Sequence, residues 1–262
     1  MFEAIVPFSG VAGWQYLNAT EERQREAFEK SPIRQRDLEY FRNNIASVTS
    51  VDEFVEDTRL MRVALGAFGL EADVGNRAFI KTLILEGTEE SGALANRLAD
   101  KRYLEFAEAF TVKKVSGGAP FTSDDIEEVV TGFLELKFEA SVGTSDENLR
   151  IALQLEREIA DISRSVKSED AQYFTILGSP PLRLAFEKAF GLPESFSSID
   201  IDKQVEVLKG AVADRFGSSS LSIFEDQERT SDLIQLYLVR ATAGEYNGSV
   251  ASAQTALRLL TS

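Results

Sequence analysis

Apolar residues recur along this chain in steps of three and four. Leu38, Phe41, Ile45 and Val48 follow that rule, as do Ile126, Val129, Val130 and Phe133. Ala152, Leu155, Ile159, Ile162 and Val166 keep it for two heptads. Such spacing places one apolar stripe on a helix of 3.6 residues per turn, and the longest run predicts a long helix packed on another. No segment alternates as a half-buried strand would; even "KTLILEG" extends the Phe79, Ile80, Leu83 spacing and reads as helix. Boundary signals agree. Ser50-Val51-Asp52-Glu53 has the form of a capping box, with Glu53 expected to reach back to the Ser50 amide. Ser123 and Ser145 precede acids that would sit in the first turn of a helix, where its dipole favours them. Gly69, Gly87, Gly143 and Gly191 each follow a periodic segment, as C-terminal caps do. The pattern predicts an all-α protein, a multi-helix globular bundle of about ten helices holding roughly two thirds of the chain, above the usual helical share.

One tetrapeptide occurs twice, "AFGL" at Ala67–Leu70 and at Ala189–Leu192. Aligning the copies also pairs Leu60 with Leu182 and Val63 with Ala185, and Leu98-Ala99-Asp100-Lys101 is echoed by Val212-Ala213-Asp214-Arg215. The reading favoured is duplication of a helical unit, giving two related helical halves; two convergent helix ends are the alternative. Phe68 and Phe190 are expected to be buried as their helices end, with Gly69 and Gly191 left-handed. Loop chemistry gathers at Ser116-Gly117-Gly118-Ala119-Pro120, at Gly178-Ser179-Pro180-Pro181, and at Gly217 with three serines. The first of these either divides the chain into halves 1–115 and 116–262 or is a loop inside one continuous domain.

Composition narrows the chemistry. The 262 residues hold no Cys and no His, which removes disulfides, thiolate nucleophiles, Ser-His-Asp triads and His-ligated metal centres together. With 18 Phe and 44% apolar residues the chain can build a real core. A net charge of −15 repels nucleic acid, so no nucleic-acid partner is expected. No apolar run approaches membrane-spanning length, so no membrane insertion is expected either, and "MFEAIVPFSG" lacks the basic start of a secretory signal.

Candidate sites are few. No phosphate-binding glycine loop is present. Asp200-Ile201-Asp202 opens like a calcium loop, but Val205 and Ala211 stand where Gly and Glu are needed, and a helix cap is the better reading. Asp124, Asp125, Glu127 and Glu128 could hold a hard cation, although such a cluster is usually a solvated first turn. No catalytic residue, cofactor or metal site is assigned. Trp14, Tyr16, Phe28, Tyr40 and Phe41 crowd the first stretch among Arg23, Arg25, Arg34, Arg36 and Arg42. Either these aromatics are core covered by arginines, or Trp14, Tyr16, Arg34 and Arg36 form a protein-interaction surface.

The stretch "EDTRLMRVALGAFGLEADVGNRAFIKTLILEGT", followed by "ALANRLADKRY", resembles a known family, as do "GVAGWQYL", "GSPPLRLAFEKAFGLP" and "DIDKQ". The resemblance runs from about Gly10 to about Arg240 and is to the alphaproteobacterial domain-of-unknown-function family numbered twelve-seventeen. Members are often encoded in flagellar gene clusters. The resemblance brings no catalytic residues. It implies a non-enzymatic flagellum-associated protein with flagellar proteins as partners, either an accessory to assembly or export or a minor structural component. It would be cytoplasmic, or exported to the flagellum without a cleaved signal. The alternatives are an Asp/Glu-dependent enzyme using Mg²⁺ and a small-molecule binding module.

Overall fold

The computed structural model describes residues 3–98, 100–166 and 168–260, without side-chain detail for 244–260. Every regular element among the described residues is helical and no strand occurs there. Fourteen α-helices are present, eleven of them of seven residues or more, so the expected all-α bundle is what forms. The echoed stretch around Ala99 includes a position outside the described residues, and a further three-four-three apolar spacing in the sequence, Val250, Ala253, Leu257 and Leu260, falls where side chains are not described.

The chain divides into two compact units, one of Met1–Ala4 with Glu22–Ser141, the other of Ile5–Glu21 with Val142–Ser262. Helix α1 (Gly10–Glu29) contributes to both, as does α9 (Ser123–Ser145). The loop at Ser116–Pro120, which the sequence offers either as a boundary at 115/116 or as a loop inside a domain, lies inside the first unit. The physical reason is that Val115 before it and Phe121 after it share one core.

In the first unit follow α2 (Pro32–Asn44), α3 (Val51–Glu56), α4 (Thr58–Gly66), α5 (Arg77–Glu86), α6 (Leu94–Arg97), α7 (Arg102–Ala109), α8 (Val112–Val115) and most of α9. Their apolar faces meet around a stack of phenylalanines. Phe110 lies 4.9 Å from Phe106 and 5.4 Å from Phe54, both stacked, and 5.2 Å from Phe121. Aromatic pairs at these separations add to the burial of their area.

In the second unit the order is α10 (Glu147–Ser165), α11 (Glu169–Gly178), α12 (Pro180–Phe190), α13 (Ile201–Phe216) and α14 (Gln227–Leu260). Leu149, Ala152, Leu155, Ile159 and Ile162 form the buried stripe of α10, as their spacing predicts, while Val166 is its extended C-cap. Pro180 and Pro181 open α12, where a missing N–H removes nothing from the helix.

Both "AFGL" segments end their helices in the same way. Leu70 N–H donates to the Leu65 carbonyl (2.8 Å) and Gly69 N–H to Gly66 (3.3 Å); Leu192 donates to Glu187 (2.9 Å) and Gly191 to Lys188 (3.0 Å). Each pair is a Schellman motif, with Gly69 at φ 68° and Gly191 at φ 64°. An arginine then caps each end. Arg102 Nη1 donates to the Gly69 carbonyl (2.8 Å), and Arg240 Nη1 to the Ala189 carbonyl (2.7 Å). In each unit the "AFGL" helix is followed by a 3₁₀ turn and later by a closing long helix, with four helices (α5–α8) between them in the first unit and α13 with a second 3₁₀ turn in the second. Position 136 is the fourteenth residue from Ser123 in α9, and 240 the fourteenth from Gln227 in α14. Leu136 lies beside Gly69, and Arg240 beside Gly191. The shared glycine ends and these matched positions are the observations that favour duplication.

Three local expectations change. Phe68 and Phe190 are half-buried rather than buried. Phe68 lies on the rim of the ring stack, 5.7 Å from Phe106, and the fully covered residue is Leu70. Glu53 reaches back to the N–H and hydroxyl of Thr49 (both 2.9 Å), while Ser50 Oγ accepts from Glu53 N–H. Thr49 offers two donors where Ser50 would offer one. Gly143 ends nothing, because α9 runs through it to Ser145; a Cβ there would meet Arg150 Cδ at 2.6 Å.

Two outcomes follow. Gly191→Ala forces a side chain into the left-handed region beside Arg240, and urea denaturation is expected to show a loss of about 1–2 kcal/mol. Asp125 caps α9 reciprocally with Thr122 and bonds Lys114 Nζ (2.6 Å), and hydrogen bonding, the Lys114 one foremost, pushes its carboxyl down to about 2. A depressed folded-state pKa stabilises fully above the unfolded value of 3.8, and that contribution is lost as pH falls toward 2. Water still reaches this half-buried group and screens the pair, so the effect is modest. Thermal melts between pH 5 and 2 are expected to fall less steeply for Asp125→Asn than for the parent chain.

Candidate functional site

Helix α1 begins where the chain is held too closely for any side chain. Gly10 has φ 61°, and a Cβ on it would lie 2.7 Å from Thr242 Oγ1 of α14. At Gly13 a Cβ would lie 2.0 Å from the Phe8 carbonyl oxygen, because residues 5–9 fold back across the first turns of α1. The two glycines of "GVAGWQYL" therefore let a strap lie against its own helix. Trp14, next along, is 3% exposed and Leu17 is fully buried. Tyr16 is half-buried and meets the Phe8 ring edge-on at 6.2 Å.

The strap and α14 line a shallow trough of about 430 Å³, formed by Ser9, Gly10, Val11, Leu238, Val239, Thr242 and Ala243. Val239 in its lining is 56% exposed, and in the strap that leads to Ser9 the apolar Ile5 and Phe8 are 61% and 57% exposed. None of these residues is charged.

The first unit carries a cleft of about 310 Å³ between the end of α1, α2 and α9. Phe28, Val130, Leu134 and Phe138 supply its apolar lining, with Phe28 and Phe138 edge-to-face at 5.6 Å. Arg25 lies 4.5 Å over the Phe138 ring. Arg42 grips Glu127 with two hydrogen bonds of 2.7 and 2.8 Å, which raises the guanidinium pKa and lowers that of the carboxyl. The cleft's best-placed charges therefore bind each other.

The sequence-selected residues separate. Trp14 and Tyr16 belong to the second unit, Arg34 and Arg36 to the first. Trp14 is core. Arg34 Nη1 donates to the Phe28 carbonyl (3.1 Å) and to Ser31 Oγ (2.8 Å), with its guanidinium 3.4 Å over the Phe28 ring. Burial lowers its pKa from the usual arginine value. Arg36 is exposed, and its carbonyl accepts from Arg59 Nη2 (2.9 Å). The acids at 124–128 do not converge: Asp125 turns to Lys114 and Thr122, Glu127 to Arg42. Among the described residues no three Asp or Glu side chains gather as a metal ion would need. No helix among them is long and apolar enough to cross a membrane.

A family model described as "Protein of unknown function (DUF1217)" matches residues 67–230. The chain belongs to the DUF1217 family. Its fold is similar to that of protein AGR_C_984 from Agrobacterium tumefaciens, known from an X-ray crystal structure, at 25% sequence identity and a TM-score of 0.69. The match covers 91% of this chain and 97% of that one. No curated protein matches the chain. The DUF1217 segment opens on the first "AFGL" and includes the second, so both left-handed glycines lie within it. The trough and its strap lie outside it. Sequence reasoning passed over Ile5, Phe8 and Val239, although a signal exists: residues 4–20 contain no charged side chain in a chain that is 27% charged.

Burial of Trp14 sets an expected outcome. Trp14→Ala removes a fully packed indole and should destabilise the second unit by about 3–5 kcal/mol in denaturant titration followed by circular dichroism. Arg36→Ala is expected to stay within about 0.5 kcal/mol of the parent.

Proposed function

We propose that this DUF1217 protein is non-enzymatic and flagellum-associated, acting by protein–protein binding as an accessory to assembly or export or as a minor structural component. It would work in the cytoplasm or, once exported, in the flagellum. The observation that carries the binding reading is an uneven surface. Of ten exposed large apolar side chains among the described residues, eight belong to the second unit: Ile5, Phe8, Phe174, Leu184, Ile199, Ile201, Val207 and Val239. The first unit has Ile33 and Leu85. Scattered exposed apolar residues are ordinary, but their concentration on one unit is what a docking surface requires. Phe174, Leu184 and Val207 lie on α11, α12 and α13, which pack on one another. The flagellar part rests on the gene setting implied by the family resemblance.

A second reading, small-molecule binding, is favoured by the aromatic lining and volume of the first-unit cleft, at the lower end of the usual range for ligand sites.

The test is genetic. A deletion strain is expected to lose filament formation or swimming, and the parent gene to restore it. A Leu184→Glu/Val207→Glu chain with a native circular dichroism spectrum is expected to fail to restore it. Normal filaments and swimming in the deletion strain would overturn the flagellar reading.

A further inference from the structure

The trough between the α1 strap and α14 differs from the remaining surface in its lack of charge. Residues 4–20 carry none, and residues 241–262 carry one acid and one base, Glu245 and Arg258. Over the whole chain 43 acids face 28 bases. Val239, which lines the trough, and Phe8 in the strap are more than half exposed, and Val11, Thr242 and Ala243 line it too. A basic partner, a nucleic acid or a lipid headgroup is recognised by charge, and this surface offers none for the purpose. Two copies of a chain at −15 repel each other wherever acids face acids. They can approach closely where neither presents charge, and the identical apolar surface on the second copy is the matching partner that symmetry supplies.

We propose that the uncharged face formed by residues 5–11 and by Leu238, Val239, Thr242 and Ala243 of α14 is a self-association surface, on which two copies of this chain meet; Arg240, between them in sequence, is not part of the trough lining, and its guanidinium donates to the Ala189 carbonyl. Phe8 and Val239 are its apolar anchors. The inference does not depend on the flagellar reading.

The experiment is sedimentation equilibrium of the full chain over a hundredfold concentration range, at low and at high sodium chloride. Dimer is expected, with at least a tenfold tighter constant at high salt, because screening removes repulsion between two acidic copies while the uncharged contact persists. Val239→Glu adds one carboxylate per copy, puts these two like charges face to face at the seam, and should leave a monomer. Phe8→Ser is the second variant, and both are checked for an unchanged helical spectrum. If Val239→Glu fails to fold, Phe8→Ser alone decides. A parent chain that stays monomeric throughout, a dimer that weakens with salt, or a folded variant that still dimerises would each overturn the proposal.

Discussion

A helix that must end and turn at once back onto its own core needs a residue at positive φ, and in this protein Gly69 and Gly191 provide it. Any residue with a Cβ is strained in that region, and at both positions it would also crowd an arginine. The left-handed turn lets Leu70 and Leu192 reach back to carbonyls five residues earlier, which ties off the helix end. Everything after the turn takes its direction from it: the 3₁₀ segment, the next helix, and the closing helix beside the glycine. The arginine caps then satisfy carbonyls that the helix itself leaves open.

The two units share this device but reach it differently. In the second, the cap comes from α14 itself through Arg240; in the first, the equivalent place on α9 holds Leu136, and Arg102 of α7 takes over. Arg102 is in turn held by Asp100. Both the donor and the carbonyl it reaches differ, Gly69 in the first unit and Ala189, the counterpart of Ala67, in the second, so the two units share an arginine at the helix end but not the same bond. The surfaces have diverged further, with the second unit exposing most of the large apolar side chains.

Much of the fold was legible because helix periodicity and glycine stops are local signals. The α10 stripe and the left-handed glycines follow directly from spacing. Gly143 misled because a glycine after an apolar run can serve close packing instead; here Arg150 fills the space a side chain would take. Phe68 misled because sequence shows that a ring belongs to a helix end, not whether the neighbouring rings enclose it. The aromatic-arginine segment is continuous in sequence but is divided between the two units. Trp14 faces the core and Arg34 binds Phe28 and Ser31, long-range facts that spacing within one segment cannot contain. The trough was harder still, since its mark is a missing charge rather than a motif.

The chain has one tryptophan, and it is buried in the second unit. Its emission therefore reports on that unit alone, whereas far-ultraviolet ellipticity sums the helices of both. Followed through the same denaturant gradient, the two signals form a built-in comparison. Coincident curves would mark one cooperative molecule, and separated curves two units that melt independently. The indole that looked like a binding anchor is thus a native optical probe for half of the protein.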